Sequence, residues 1–496
     1  MRDAPTEEEA VSRYSFRDPA GRLFSLGERI FRVVESQASD DLSAFFGSST
    51  AQKLIEDKRL VGTVELAQGD AHQLAATPAL GEVLRGFNQQ TILEHERIPF
   101  PSYPYEWAPE MLHAAGCLTI EIADEALNDG LGLKDATPYN VLFRGPEPVF
   151  VDVLSFERRD PGDPIWLPEA QFDRTFILPL LAHQRFGFSL EQLLAFSRDG
   201  LEPDVLYSWV SFWQRFLPPF LSLASIPTWL GRTYDPDKPQ LYAKRRIADT
   251  EKARFILEST LRRCRRRLRW VMPSESRSSA WTDYMGSRTS CSYSDEQFHA
   301  KEDFVGRVVA EHNPKRVLDV GCNTGFFSAL AARTGASIVA VDSDPAVIGQ
   351  LWRRARSEGL NILPLVVDIT RPTPSIGWRN SECLSFLDRA QGFFDLVLML
   401  AVVHHMLVTE RVPLGEIVEF ASSLTLDLAV IEFVGPGDPM LKRLVRGREA
   451  LHQDLTKEVF EQACRRCFDI ERSEELAGGD RVLYVLRKKD RSARGT

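Results

Sequence analysis

Short apolar runs alternate with amphipathic stretches through the carboxyl-terminal half of this chain, and several of the runs end on an acid. Val317, Leu318 and Val320 form the first run, SIVAVD (337–342) the second and LPLVVD (363–368) the third. FDLVLML (394–400), LAVIEF (428–433) and RVLYVLRK (481–488) follow. Runs this short and this apolar read as buried strands, and the stretches between them, beginning with 326–333, read as helices. The alternation predicts an α/β domain built on a largely parallel sheet. Asp344 followed by Pro345 predicts a helix N-cap with proline in the first turn.

The amino-terminal half is patterned differently. Residues 133–157 (LKDATPYNVLFRGPEPVFVDVLSFE) read as a loop and a hairpin that bring Asp135, Asn140 and Asp152 to one end, where three oxygen ligands are suited to magnesium held against phosphates; a capped turn in a β-rich domain is the plainer alternative. Residues 92–112 read as an edge strand, a hinge and the start of a helical lobe, and QKLIEDKRL as a helix carrying Lys53 and Lys58. The most apolar stretch, 206–231, is interrupted by Gln214-Arg215 and Pro218-Pro219, which favours buried helices joined at a proline break over a membrane span. Residues 251–273 are helical in pattern, with arginines too dense for a core. The expected organisation is therefore an α+β domain over residues 1–250, a basic helical linker over 251–274 and an α/β domain over 275–496. A linker with so little apolar surface predicts separable halves.

Composition narrows the class. With 44% hydrophobic and 26% charged residues, the 496-residue chain is ordinary for a globular protein of two or three domains. Its net charge of −10 argues against nucleic acid as the main partner. The acidic start MRDAPTEEEA has no apolar segment of the kind a secretory signal needs, so a cytoplasmic location is expected. Seven cysteines lie at scattered positions; Cys464 and Cys467 make a C-x-x-C with no second pair at zinc spacing, and no resident metal is expected.

The candidate chemistry begins at Asp319. Gly321 and Gly325 let backbone approach a ligand, but Asp319 would repel a pyrophosphate, whereas a sulfonium ligand bearing an α-ammonium group has the opposite need. Asn323 tolerates a left-handed backbone, and Asp342 stands where a carboxylate accepts both ribose hydroxyls. From Asp319 through Gly325 to Asp342, and onward over roughly residues 281–489, the chain resembles the class I methyltransferase family, with its Rossmann-like fold. The resemblance implies S-adenosyl-L-methionine as cofactor. Asp319, Gly321, Asn323 and Gly325 would then cradle the amino-acid end and Asp342 the ribose, with Asp368 on the adenine amino group and Ile369 beside it. His404 and His405 follow the fourth strand, as a base for a hydroxyl acceptor or as pocket wall, with Glu432 as a rival base. Trp281, Tyr284, Tyr293 and Lys301 precede the first strand, as a lid or as surface packing.

Residues 133–157 resemble the catalytic loop and metal-binding aspartate of kinase-like phosphotransferases. The resemblance implies Asp135 as base, with Asn140 and Asp152 as metal ligands. The departures are Lys134 before Asp135, no histidine two residues ahead of it, no glycine-rich phosphate loop and no strand lysine paired to a helical glutamate. An additional amino-terminal domain fused to such a catalytic domain also resembles methyltransferases of glycan, nodulation and natural-product chemistry, which implies a small-molecule or saccharide acceptor. The competing readings are a non-catalytic S-adenosylmethionine-binding scaffold and a phosphotransferase carrying an accessory methyltransferase domain.

Overall fold

The computed structural model describes residues 11–13, 18–75, 91–232, 246–274, 294–447, 454–478 and 480–489. The amino-terminal part opens with strands β1 (Val11–Arg13), β2 (Gly21–Leu26), β3 (Arg29–Val34), β4 (Thr63–Glu65) and β5 (Thr91–His95). They form an antiparallel sheet in the order β1-β2-β3-β5-β4. Thr91–His95 was expected at an edge, but β4 pairs outside it. Two small hairpin-like pairs follow: β6 (Leu131–Leu133) with β9 (Phe156–Arg158), and β7 (Val141–Arg144) with β8 (Glu147–Phe150). The β7–β8 pair is the hairpin predicted from 133–157. Behind them lies the Pro109–Ala126 helix, proline-started and buried along most of its length.

The carboxyl-terminal sheet contains β10 (Arg316–Val320), β11 (Ser337–Asp342), β12 (Ile362–Val366), β13 (Phe394–Met399), β14 (Thr425–Val434), β15 (Phe468–Glu475) and β16 (Arg481–Lys488). Their order is β12-β11-β10-β13-β14-β16-β15, parallel from β12 to β14, with β16 antiparallel to β14 and β15. Strand order reverses between β10 and β13, which opens the crevice where such sheets bind ligands. Every predicted strand is present. β15 was not predicted, because as an edge strand it is mostly solvated and reads as a run of charges, FDIERSEE. β12 ends two residues short of Asp368, which therefore begins a turn.

Two further expectations are corrected. The basic segment is a helix, Thr250–Trp270, but it does not merely connect: Leu257, Leu261, Cys264 and Leu268 form a buried seam against the Pro109–Ala126 helix. Its arginines are tied down at the rim of that seam, Arg263 and Arg267 to Glu169, Arg267 to Asp173, and Arg265 to Asp124. The apolar stretch 206–231 breaks into short helical pieces as expected, yet Phe212, Trp213, Leu217 and Leu230 are 60%, 77%, 57% and 65% exposed. These pieces point only a few side chains, such as Leu206 and Leu223, at the core. No described helix is long and apolar enough to cross a membrane.

The halves are not separate bodies joined by a linker. Phe100 packs against Phe386, Phe393 and Phe394 at ring-centroid distances of 5.8, 5.6 and 5.8 Å. Trp352 donates its indole N–H to the Pro146 carbonyl at 2.8 Å, and Arg353 pairs with Glu110. Arg389 pairs with Glu106 where both side chains are almost wholly buried. Separability was argued from the arginine-rich helix, but the joining surface lies elsewhere, on residues 98–110 and the 141–150 hairpin.

Candidate active site

The carboxyl ends of β10, β11 and β13 frame a cavity of about 310 Å³ lined by Asp319, Gly321, Asn323, Asp342, Asp368, Ile369 and His405, among others. The turn after β10 is left-handed at three places, with φ of +68° at Gly321, +49° at Asn323 and +73° at Gly325. A Cβ on Gly321 would lie 2.4 Å from Val402 Cγ2, and one on Gly325 2.2 Å from Leu351 Cδ1. Glycine is therefore required twice over, by conformation and by space. Asn323 holds the same conformation without being glycine, as expected of its short polar side chain.

Asp342 ties this turn to the next strand. Its Oδ2 accepts the Asn323 N–H at 3.0 Å and its Oδ1 the Asp344 N–H at 3.0 Å, while Asp344 itself caps the Pro345–Glu358 helix through the Ala346 N–H. Asp342 itself lines the cavity. Burial raises its carboxyl above the usual range. Asp319 is deeper, 3% exposed, and accepts the Ser328 hydroxyl at 2.5 Å. Burial pushes it up to about 6, against the lowering effects of Ser328 and Lys301. Asp368 spends Oδ1 on the Thr370 N–H and hydroxyl at 2.9 and 2.6 Å, with Ile369 beside it in the cavity wall.

The two histidines separate. Both lie on the Val403–Val408 helix with ring centroids 4.3 Å apart, but only His405 lines the cavity. His404 is buried, neither ring nitrogen has a hydrogen-bond partner, and burial drives its pKa down to about 3. His405 is lowered too, first by burial and then by the charge of Arg481. Glu432 is not a rival base: one oxygen accepts from Lys301 Nζ at 2.7 Å and the other from Arg481 at 2.9 Å, in a site sealed from solvent. Lys301 accordingly belongs to the floor of the cavity rather than to a lid; Trp281, Tyr284 and Tyr293 lie outside the described residues.

Sequence reasoning missed the aromatic end of the cavity, where Phe298 meets Phe326 at 4.8 Å and Phe326 meets Phe327 at 5.2 Å. The signal was the aromatic pair opening the helix immediately after Gly325.

In the amino-terminal part, Asn140 Nδ2 donates to Ser155 Oγ at 3.0 Å, and Ser155 Oγ donates to Asp152 at 2.7 Å. Asp152 also pairs with Arg32 of β3, a residue the sequence did not single out. Burial raises the Asp152 carboxyl, but Arg32 and the Ser155 bond outweigh it and hold it below the usual range. Asp135 is raised by burial and by the charges of Asp152 and Asp18. The three predicted residues do gather, but a guanidinium stands against Asp152 where a divalent cation would have to bind, so the magnesium reading does not fit. Lys53 lies on the Ser49–Glu56 helix as predicted and pairs with Glu125 at 3.5 Å; Lys58 falls past its end, at φ +57°.

Residues 293–433 match a methyltransferase domain family. The nodulation protein NoeA of Rhizobium meliloti (strain 1021) is 28% identical over 480 residues, covering 96% of this chain and 96% of its own length. A glycine/sarcosine N-methyltransferase of Parasynechococcus marenigrum is 32% identical over 113 residues, 23% of this chain and 35% of that enzyme. Among solved structures, the N-methyltransferase NodS of Bradyrhizobium japonicum WM9 in complex with S-adenosyl-L-homocysteine is 14% identical, with a TM-score of 0.32 over 42% of this chain and 97% of NodS. The family match spans β10 to β13 and most of β14, with Asp319, Asp342 and Asp368 all inside it, and this part of the chain is a methyltransferase domain with a Rossmann-like fold.

Proposed function

We propose that the chain methylates a small-molecule or saccharide acceptor, with Asp319, Gly321, Asn323 and Gly325 at the amino-acid end of the cofactor, Asp342 at the ribose, and Asp368 with Ile369 at the adenine. The observation that carries this reading is the cavity itself. It joins the buried Asp319 and the half-buried Asp342 to a turn that admits no Cβ at Gly321 or Gly325. When bound, S-adenosylmethionine supplies a methyl group made electrophilic by a sulfonium. The chain's part is positional: the buried Asp319 attracts an ammonium, and Asp342 offers its lone pairs to paired hydroxyls. An acceptor nucleophile gives its lone pair to the methyl carbon as the carbon–sulfur pair returns to sulfur.

For a hydroxyl acceptor a proton must also leave, and His405 is the histidine on the cavity wall to take it at a ring nitrogen. His404 is wall. The relative aligned along nearly the whole chain is named for nodulation, and a shorter match for glycine and sarcosine methylation, which supports the same class. The test is to incubate the full-length protein with isotope-labelled S-adenosylmethionine and fractionated cell extract and profile the labelled products. Label in a metabolite or glycan fraction supports the proposal. Bound cofactor with no transfer to any fraction would favour the scaffold reading.

A further inference from the structure

The segment that follows Asp368 is held from the other domain. Thr373 Oγ1 donates to Glu106 Oε1 at 2.5 Å, and the Arg389 guanidinium meets the same carboxylate oxygen. Between these two contacts the chain makes an excursion and closes on itself: Phe386 N–H donates to the Thr373 carbonyl at 3.0 Å, and Ile376 and Cys383 form a bridge. Glu106 therefore grips the neck of the excursion, five residues beyond Asp368. Other amino-terminal groups hold the same segment. Tyr103 accepts the Leu384 N–H at 3.2 Å, the Pro101 carbonyl accepts from Arg389 at 2.6 Å, and Arg198 pairs with Glu382 at 3.0 Å. Arg389 also lies over the rings of Phe100 and Tyr103, 5.1 and 4.8 Å from their centroids. None of these groups touches the cavity. Their common effect is to leave the wall made by Asp368, Ile369 and Thr370 little freedom to move.

We propose that Glu106, with Thr373 as its reach into the methyltransferase domain, is a positioning residue for the adenine end of the cofactor pocket, so that the amino-terminal domain completes the cofactor site. This rests on the assignment of Asp368 and Ile369 to the adenine. A fully buried carboxylate is costly unless its partners are fixed, and here one partner belongs to the adenine-side loop itself. Glu106 thus acts on the pocket through Thr373 and Asp368, and the ribose and methionine anchors on β10 and β11 are untouched by it.

The experiment uses the full-length protein. Thr373→Val removes one hydroxyl while keeping the shape, and Glu106→Gln removes the charge; circular dichroism checks that each is folded. Calorimetry with S-adenosyl-L-homocysteine and with 5′-methylthioadenosine should show Thr373→Val weakening both by the same factor, about fivefold to tenfold. Turnover at saturating cofactor should stay within about twofold, a KM effect rather than a kcat effect. The decisive comparison is Asp368→Ala with and without Thr373→Val. If Thr373 acts through Asp368, the second substitution adds little once Asp368 is gone. Additive losses, or a Thr373→Val protein with native affinity for both ligands, overturn the proposal even if Glu106→Gln fails to fold. A wild-type protein that binds neither ligand would instead overturn the cofactor assignment beneath it.

Discussion

The Asp342 carboxylate accepts the backbone N–H of Asn323 at 3.0 Å, so the acid assigned to the ribose also braces the glycine turn assigned to the methionine end. Asp342→Ala should therefore cost more than a pair of ribose hydrogen bonds, because the left-handed Asn323 loses its anchor. Affinity for S-adenosyl-L-homocysteine should fall about tenfold to hundredfold, which is about 1.5 to 3 kcal/mol. Asp342→Asn, which keeps an acceptor for the turn, should lose less. Calorimetry giving equal affinity for wild type and Asp342→Ala would remove Asp342 from the site.

Asp319 sets a pH dependence. Burial raises it from 3.8 to about 6, so the free protein loses this negative charge as pH falls through about 6. A bound ammonium favours the ionised form and lowers that value, and binding below pH 6 must release a proton. Affinity for the cofactor product should rise from pH 5 to about 6.5 and then level off. Titration in two buffers of different ionisation enthalpy checks this. A binding constant flat from pH 5 to 8 would show that Asp319 does not face the ammonium.

The histidines should behave unequally. If the acceptor nucleophile is a hydroxyl, His405→Ala should lower turnover about 10²-fold to 10⁴-fold with cofactor affinity nearly unchanged. His405 is lowered from 6.5 by burial, so activity limited by its neutral form should reach its plateau by about neutral pH, and the midpoint should lie below the ordinary histidine value. His404→Phe should keep near-normal turnover, since His404 reaches neither cavity nor hydrogen-bond partner. Normal turnover in His405→Ala with the true acceptor would leave rate enhancement to positioning alone.

What the sequence made legible follows from locality. The strands that carry Asp319 and Asp342, and the one that leads to His405, were readable because each is a short apolar run, and the turn was readable because Gly321 and Gly325 sit within five residues. Contacts between distant positions left no such trace. Lys301 reads as one polar residue in a helix until Glu432, 131 positions away, is brought to it. The same holds for Arg32 and Asp152, separated by 120 positions, and for Glu106 and Arg389, separated by 283. The seam of the Thr250–Trp270 helix was hidden for a different reason. Its apolar residues recur at helical spacing, but arginines fill every position between Leu261, Cys264 and Leu268.

The domain interface yields a stability prediction. A carboxyl-terminal fragment beginning at residue 294 would expose Phe386, Phe393 and Phe394 and leave Arg389 without Glu106, and leaving one member of a buried pair alone costs about 3 to 5 kcal/mol. That is a large part of what a domain has to lose. The fragment should aggregate or melt well below the full-length protein in a thermal scan. A soluble fragment with native cofactor affinity would show that the interface contributes little.

The amino-terminal constellation gives the last prediction, which concerns nucleotide. Asp152 is the residue whose counterpart would hold magnesium in a kinase-like site, and it is engaged by the Arg32 guanidinium, the Ser155 hydroxyl and the Leu154 N–H. A divalent cation would have to displace a guanidinium already in contact. Magnesium with ATP, up to millimolar concentration, should leave the thermal midpoint of the full-length protein unchanged, and no phosphate should be transferred. Arg32→Ala should destabilise the protein by about 3 kcal/mol, because Asp152 is left buried without a cation. If magnesium then restores part of that loss in Arg32→Ala but does nothing to wild type, the arginine is standing in the place of a metal. A magnesium-dependent ATP shift in the wild-type protein would instead return the phosphotransferase reading to consideration.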